Sequence, residues 1–467
     1  MHVENTVERE QLRRENKAFY KKLTIVGIPM IMQQVIAVTL NLADTIMVGR
    51  VGENPLAAVG AANQVYFIIS IILFGVFSGA AVHAVQYWGI KDIENLRKIL
   101  GIDYMMCFLI VIPASVLAYF FPQMLIKLFS DNTEVITLGV EYLKIVCFSY
   151  LFTGISFVIA YNSRSVQDLK LPTIVNGIAI ALNIFLNYIL IYGNFGFPKL
   201  GVKGAAIATL TARIFECVLM LSSVYLRKEH PLKAKVSELK SFSKNLYRRV
   251  MKTAVPVIIT EGLWAVSVSC IYAAYGKISP SALAISQAAS TVTTVFQTIY
   301  FGMGNASAVL IGEVLGQGKK EKAFNYSKNV LKVTWVLNVI MTILVILLRK
   351  PIADIYGFPA ETTEMFLDVL IVYALTMTPK MLSYVLICAI FRPGGDTMFS
   401  MHADVVTNIF MQVPLAFISV QVLNLPLNWA MVVVAFADVI KVAVCYVRYY
   451  GKQWMNIFTG MEEITEE

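Results

Sequence analysis

The sequence predicts an all-α polytopic membrane protein, with 12 transmembrane helices in two pseudo-twofold-related six-helix bundles. Three observations carry that prediction. Of 467 residues, 57% are hydrophobic and 15% charged, about half the charge of a soluble domain. The apolar residues gather into runs of roughly twenty, the length that crosses about 30 Å of hydrocarbon. The second half of the chain also repeats the first at a constant offset. Together they exclude an ordinary soluble enzyme, a disordered chain and a disulfide scaffold.

Residues 1–22 are polar and charged, without the apolar core or small-residue cleavage site of a signal peptide, and read as an amphipathic cytoplasmic lead-in. Twelve helices follow, at roughly 23–48, 56–88, 95–121, 133–161, 170–192, 201–226, 250–275, 282–315, 325–348, 362–391, 398–422 and 427–447. The loop charges fix their direction. Of 39 Lys and Arg, 28 fall in the termini and around the loops after even-numbered spans, 7 around the loops after odd-numbered spans, and 4 within spans. The positive-inside rule then places both termini in the cytoplasm of a plasma-membrane protein. Residues 23–226 form a first lobe, 227–249 a cytoplasmic linker, 250–447 a second lobe and 448–467 a cytoplasmic tail.

The repeat has an offset of 227. Pro29 pairs with Pro256, Leu56-Ala57 with Leu283-Ala284, Phe74-Gly75 with Phe301-Gly302, and Gly89 with Gly316. At offset 228 the loop Arg164–Asp168 matches Arg392–Asp396. Six spans per half bring both halves into the membrane in the same orientation, which predicts two bundles enclosing a binding site and working by alternating access. That organisation is a transporter's.

Ionisable groups at mid-span cost several kcal/mol unless they face water or find partners, so each is a functional candidate. Asp44 lies late in the first span, flanked by apolar residues. Asn183 and Asn187, one helical turn apart in the fifth span, and Thr209 in the sixth offer neutral oxygens near a coupling cation; a sodium ion at Asp44 and Asn183 is the one metal expectation. The second half carries Glu261, one turn after Pro256, and Lys380, next to Pro379. It also carries Asp404, and the i,i+3 pair Asp438–Lys441. Glu261 or Asp404 is read as a coupling carboxylate, and Lys380, Asp438 and Lys441 as a charged network around it, with a purely structural ion-pair network as the alternative. Arg213–Glu216, also i,i+3, reads as a structural clamp. Gln34, Gln64 and Gln287 are candidate cavity residues.

Catalytic motifs are missing. There is no HExxH or GxSxG, and GEVLGQGKK lacks the glycine spacing and the Ser or Thr of a phosphate loop. No enzymatic activity and no cofactor are expected, beyond H⁺ or Na⁺ as the coupling ion. The six cysteines sit singly in apolar segments, four histidines are scattered, and no nucleic-acid motif appears.

Several stretches resemble the multidrug and toxic compound extrusion (MATE) antiporters: PMIMQQVIAVTLNLADTIMVGRVG, NIFLNYILIYGNFGFPKLGVKGAAIAT, RPGGDT and PVIITEGLWAVSVSCIYAAYGKI. The likeness covers all but the first twenty residues. By that resemblance Asp44 corresponds to the family's first-span aspartate, tied to cation coupling, and Asn183 to its polar partner. Asn187 stands where the archaeal branch has a second aspartate. Glu261 is similar to the seventh-span glutamate of other branches, about one turn nearer the helix start. The resemblance implies a monomeric secondary antiporter in the lipid bilayer, exporting small organic compounds, cationic or amphipathic, against H⁺ or Na⁺. The alternative within the same superfamily is a lipid-linked oligosaccharide flippase, which favours a cationic cavity absent from the first two spans.

Overall fold

The computed structural model describes residues 2–356 and 358–459, and the side chains of residues 2–9, 11, 12, 37 and 39–44 lie outside what it describes. Every regular element among the described residues is helical, as twenty-residue apolar runs require where backbone groups cannot bond to water. The first half runs α1 (His2–Gly49), α2 (Glu53–Gly89), α3 (Ile93–Phe120), α4 (Thr133–Val146), α5 (Ser149–Ser165), α6 (Lys170–Tyr192) and α7 (Val202–Tyr225). The second runs α8 (Lys244–Gly276), α9 (Pro280–Gly316), α10 (Lys320–Tyr356), α11 (Ala360–Phe391), α12 (Thr397–Val422) and α13 (Leu427–Tyr450). Each of the twelve expected spans falls on one of these helices or, for the fourth, on the pair α4–α5.

Local chemistry sets the ends. Asp92 caps α3 by accepting from the Asn95 N–H at 3.0 Å, and Asn132 caps α4 by accepting from the N–H groups of Glu134 and Val135. Ser279 caps α9 from just before Pro280, which occupies the first helical position. At the end of α6, Gly193 takes φ 77°, a left-handed stop that a side chain would resist.

The fourth span differs from the unbroken helix expected over 133–161: α4 and α5 meet at a 52° bend. No Pro or Gly marks the break. Hydroxyls stand in for the interrupted ladder, with Ser149 Oγ donating to the Val146 carbonyl at 2.6 Å and Ser115 Oγ to the Cys147 carbonyl at 3.0 Å. Wide, five-residue-reach turns also interrupt α11 after Tyr384 and α12 at Val406–Gln412 and Ile418–Val422.

The chain divides into two compact units, one comprising Met32–Ile258 and the other the chain up to Ile31 together with the chain from Ile259. Each cut lies two residues past a proline of the repeat, Pro29 or Pro256, and the two cuts are themselves 227 residues apart. Close helix contacts explain the positions. In the first unit a Cβ on Gly75 of α2 would lie 2.7 Å from the Ile258 Cα of α8. In the second, a Cβ on Gly302 of α9 would lie 2.6 Å from the Ile31 Cα of α1. One turn away, Gly79 abuts Ala254 in the first unit and Ala306 abuts Gly27 in the second. Small residues let membrane helices approach to backbone contact, and these contacts obey the same offset.

Within the first unit the core runs through Leu96, Ile99, Ile102, Cys107, Val111, Val158 and Met220. Within the second, one cluster gathers Tyr275, Phe366, Leu370 and Met431, and another Tyr300, Met341 and Met381. Large apolar side chains such as Leu109, Phe120, Leu347 and Phe410 are left exposed, as expected of helix faces covered by lipid.

Candidate coupling site

Most mid-span charges of the second unit are paired. Glu261, half-buried on α8, accepts from Arg392 Nη2 at 3.0 Å. Arg392 closes α11 and opens the Arg-Pro-Gly-Gly-Asp loop, whose Gly395 takes φ 74°. Asp396, at the end of that loop, accepts from Arg448 of α13 through both oxygens, at 2.8 Å from Nε and 3.1 Å from Nη2. Lys441 of α13 stands between two carboxylates, 3.2 Å from Asp438 on its own helix and 3.3 Å from Asp404 on α12. Asp438 and Lys441 are almost fully buried. One lysine thus pairs with two carboxylates, an arrangement that survives burial only with this geometry intact. Lys380 of α11 has an exposed side chain.

The first unit is arranged differently. Asn183 and Asn187 of α6 are buried, and the Asn187 amide donates to the Asn183 carbonyl oxygen at 3.1 Å. Thr209 of α7 is half-buried. Asp44 falls in the helical run of α1, and its side chain lies outside the described residues. Arg213 donates to Glu216 at 2.6 Å. Of the candidate cavity residues, Gln34 is half-buried, and Gln64 and Gln287 are exposed. Its neighbour Gln33 is the buried one, and donates to Thr173 at 2.8 Å. Among the described residues no group of three or more His, Cys, Asp and Glu side chains is placed to hold a metal ion.

Two features escaped the sequence reading. Asp103 of α3 is only 2% exposed. Its Oδ2 accepts from Asn162 of α5 at 2.7 Å, and its Oδ1 meets no hydrogen-bond donor among the described residues. The signal was present, since Asp103 is the only charge in the apolar run from Ile99 to Phe121. The second feature is a clasp on Asp168, in the loop between α5 and α6. Its Oδ2 accepts from Arg227 at 2.9 Å and from His230 Nε2 at 3.1 Å. His230 Nδ1 already accepts from the Leu232 N–H, so the ring proton sits on Nε2. These donors, His230 foremost, hold the Asp168 carboxyl below the usual carboxylate range.

A sequence profile of the family described as MatE matches residues 29–189 and again 256–418, well over half of the chain, with both matches beginning at the prolines of the repeat. The chain is 24% identical over 420 residues to the probable multidrug resistance protein YoeA of Bacillus subtilis, covering 87% of this chain and 88% of that protein. It is 25% identical over 351 residues to the probable multidrug resistance protein NorM of Thermotoga maritima, covering 74% of each. Its fold superposes on the outward-facing conformation of a multidrug resistance MATE family transporter with a TM-score of 0.84, at 18% identity, covering 93% of this chain and 96% of that one.

Proposed function

This chain belongs to the MatE family of transporters, and from that premise we propose that it is a secondary antiporter. On this reading it exports organic compounds, cationic or amphipathic, in exchange for inward H⁺ or Na⁺. It sits in the plasma membrane with both termini cytoplasmic, and works as a monomer by alternating access. Its relatives carry the names of multidrug resistance proteins, which supports drugs and similar xenobiotics as the compounds moved.

The observation that carries this reading is the set of acids held at membrane depth by cations that a proton could release. Glu261 rests on Arg392, and Asp404 and Asp438 share Lys441. Proton or cation uptake at a carboxylate removes the attraction to its basic partner and repacks the helices that carry the pair. Asp44, with Asn183, Asn187 and Thr209, is the corresponding coupling group of the first half. Uptake there favours release of the compound outside and return of the empty carrier.

Purified protein in liposomes, loaded with a fluorescent dye and given separate H⁺ and Na⁺ gradients, tests the reading and names the ion. Dye efflux is expected under one gradient and not without it. Asp44→Asn should abolish the gradient-driven component; an Asp44→Asn protein pumping at the wild-type rate would remove Asp44 from the mechanism, and wild-type protein indifferent to both gradients would end the antiporter reading.

A further inference from the structure

The chain that follows α13 folds back, within the second unit, onto the loop that carries Arg392. Trp454 is fully buried, its ring stacked at 6.3 Å on Tyr449 and 6.5 Å from Phe391, the residue before Arg392. Its indole N–H donates to the Tyr449 carbonyl at 3.3 Å. The backbone N–H and the side-chain amide of Asn456 both donate to the Gly394 carbonyl, at 3.1 and 2.9 Å. Thr459 donates to the Gly316 carbonyl at 2.8 Å, which ties the segment to the end of α9 as well.

The two glycines of the loop are its seat. A Cβ on Gly394 would run into the Trp454 carbonyl oxygen and lie 2.8 Å from the Trp454 ring; one on Gly395 would enter the Phe458 ring. The turn alone does not ask for both glycines. At the matching positions of the first half stand Val166 and Gln167, and Gln167 takes φ 61° where Gly395 takes 74°. A residue with a side chain thus makes the same left-handed step. The φ of Gly394 lies outside that region, so the docked segment, and not the backbone, requires a glycine there.

Seating the loop places Arg392. The Arg392 carbonyl accepts from the Gly395 N–H at 2.9 Å, and the Phe391 carbonyl accepts from the Asp396 N–H at 3.1 Å. The glycines and the root of the arginine side chain therefore move as one turn. From there the guanidinium donates to Glu261 of α8 at 3.0 Å. Contacts run unbroken from Asn456 and Phe458, through Gly394 and Gly395, to Arg392 and Glu261. Arg448 holds Asp396, so the far end of the loop is fixed without the segment. The half that pairs a glutamate with its loop arginine is also the half with the glycine seat; the first has Gln34 at the place of Glu261.

We propose that residues 451–459 are a positioning element of the Glu261–Arg392 pair. Trp454, Asn456 and Phe458 hold the Arg392 guanidinium at Glu261, and loosening them slows gradient-driven transport without weakening compound binding. The transport consequence rests on the antiporter reading; the grip on Arg392 does not.

The test uses full-length protein carrying Trp454→Ala or Gly394→Ala, which unseat the segment from its two sides, each alone and with Glu261→Gln. Trypsin cleavage after Lys452, followed as release of the peptide beginning at Gln453, should be about tenfold faster in both single variants. Release at the wild-type rate in both would show that the segment is not held at this seat. Thermal unfolding in detergent then separates positioning from mere packing. The drop in Tm caused by Trp454→Ala should shrink by about half in Glu261→Gln protein, because the pair it acts through is gone; an equal drop in both backgrounds overturns the proposal. Asn456→Ala, a gentler change, carries the same comparison if the other variants do not fold. In liposomes, Trp454→Ala should slow gradient-driven dye efflux about fivefold, with dye binding by fluorescence polarisation within about twofold of wild type. Efflux at the wild-type rate from protein whose segment is released would remove the transport role. Wild-type protein indifferent to both gradients would remove the antiporter instead, and leave the grip on Arg392 to stand or fall by the unfolding comparison.

Discussion

The sixth and twelfth spans place charges at the same two positions with opposite signs. α7 and α13 are both 24 residues long. Arg213 and Glu216 are the twelfth and fifteenth residues of the first, and Asp438 and Lys441 the twelfth and fifteenth of the second. In α7 the cation comes first and donates to one carboxylate at 2.6 Å. In α13 the cation comes second and gathers a further carboxylate, Asp404, from α12. The seventh span repeats the contrast. The repeat equates Glu261 with Gln34, and Arg392 with Arg164. The second half thus holds a glutamate–arginine pair where the first has a neutral amide and an arginine resting 4.6 Å over the Tyr161 ring. Duplication preserved the helix frame and let the charge chemistry diverge, so the two halves should not answer an ion gradient alike.

The sharpest way to break that comparison is to remove Lys441. Lys441→Met strands Asp404 and Asp438 together in a buried setting, a change worth about 3–5 kcal/mol. Thermal unfolding in detergent should show a large loss, and adding Asp404→Asn and Asp438→Asn should restore most of it. Glu216→Gln in the first half leaves behind an arginine whose side chain is a quarter exposed, so its cost should be clearly smaller. A Lys441→Met protein as stable as wild type would show that the three-residue cluster holds nothing together.

A change to the shared frame should instead act equally on both halves. Gly75→Ala and Gly302→Ala each drive a methyl group to within 2.7 Å or less of a facing Cα, and overpacking of this kind costs about 1–3 kcal/mol. The two losses should agree to within about 0.5 kcal/mol if the contacts are true equivalents. Gly262 of α8 has open space where its Cβ would be, so Gly262→Ala should be neutral or gain up to about 1 kcal/mol from helix propensity. Unequal losses at Gly75 and Gly302 would mean that the repeat extends to sequence but not to packing.

The contrast between frame and chemistry also explains what could be read without coordinates. Apolar length fixes helices one at a time, which is why 170–192 is met residue for residue by α6. The Pro29–Pro256 match gave the offset that the glycine contacts and the unit cuts obey. The break between α4 and α5 was not legible because no Pro or Gly marks it, and one of the hydroxyls that meets it, that of Ser115, comes from the distant α3. The same limit applied to Glu261. Its helix position was evident, but its partner Arg392 lies 131 residues away, and no local pattern joins them. Asp438–Lys441 was legible because i,i+3 spacing is itself local; Asp404 as the third member was not. Asp103 is the clearest omission, since a lone acid in an apolar run is visible in one dimension and only its Asn162 partner needed the fold.

The loop aspartates again differ in degree between the halves, and Asp168 carries the smallest expected loss. Asp396 is nearly buried and held through both oxygens by Arg448, so Asp396→Asn should cost about 1.5–3 kcal/mol. Asp168 is held through one oxygen, by the half-exposed Arg227 and by His230, and Asp168→Asn should cost less than about 1 kcal/mol. Its pH dependence carries a definite sign. The folded protein holds the Asp168 carboxyl below its ordinary value, so folding favours the ionised form. That contribution is complete above the unfolded carboxylate value near 4 and fades as pH falls through the lower folded value. The stability gap between wild type and Asp168→Asn, measured by unfolding in detergent between about pH 6 and pH 3, should therefore shrink on acidification. A gap that widens on acidification would mean that the protonated carboxyl is the favoured form, and that the His230 and Arg227 donors do not hold this loop.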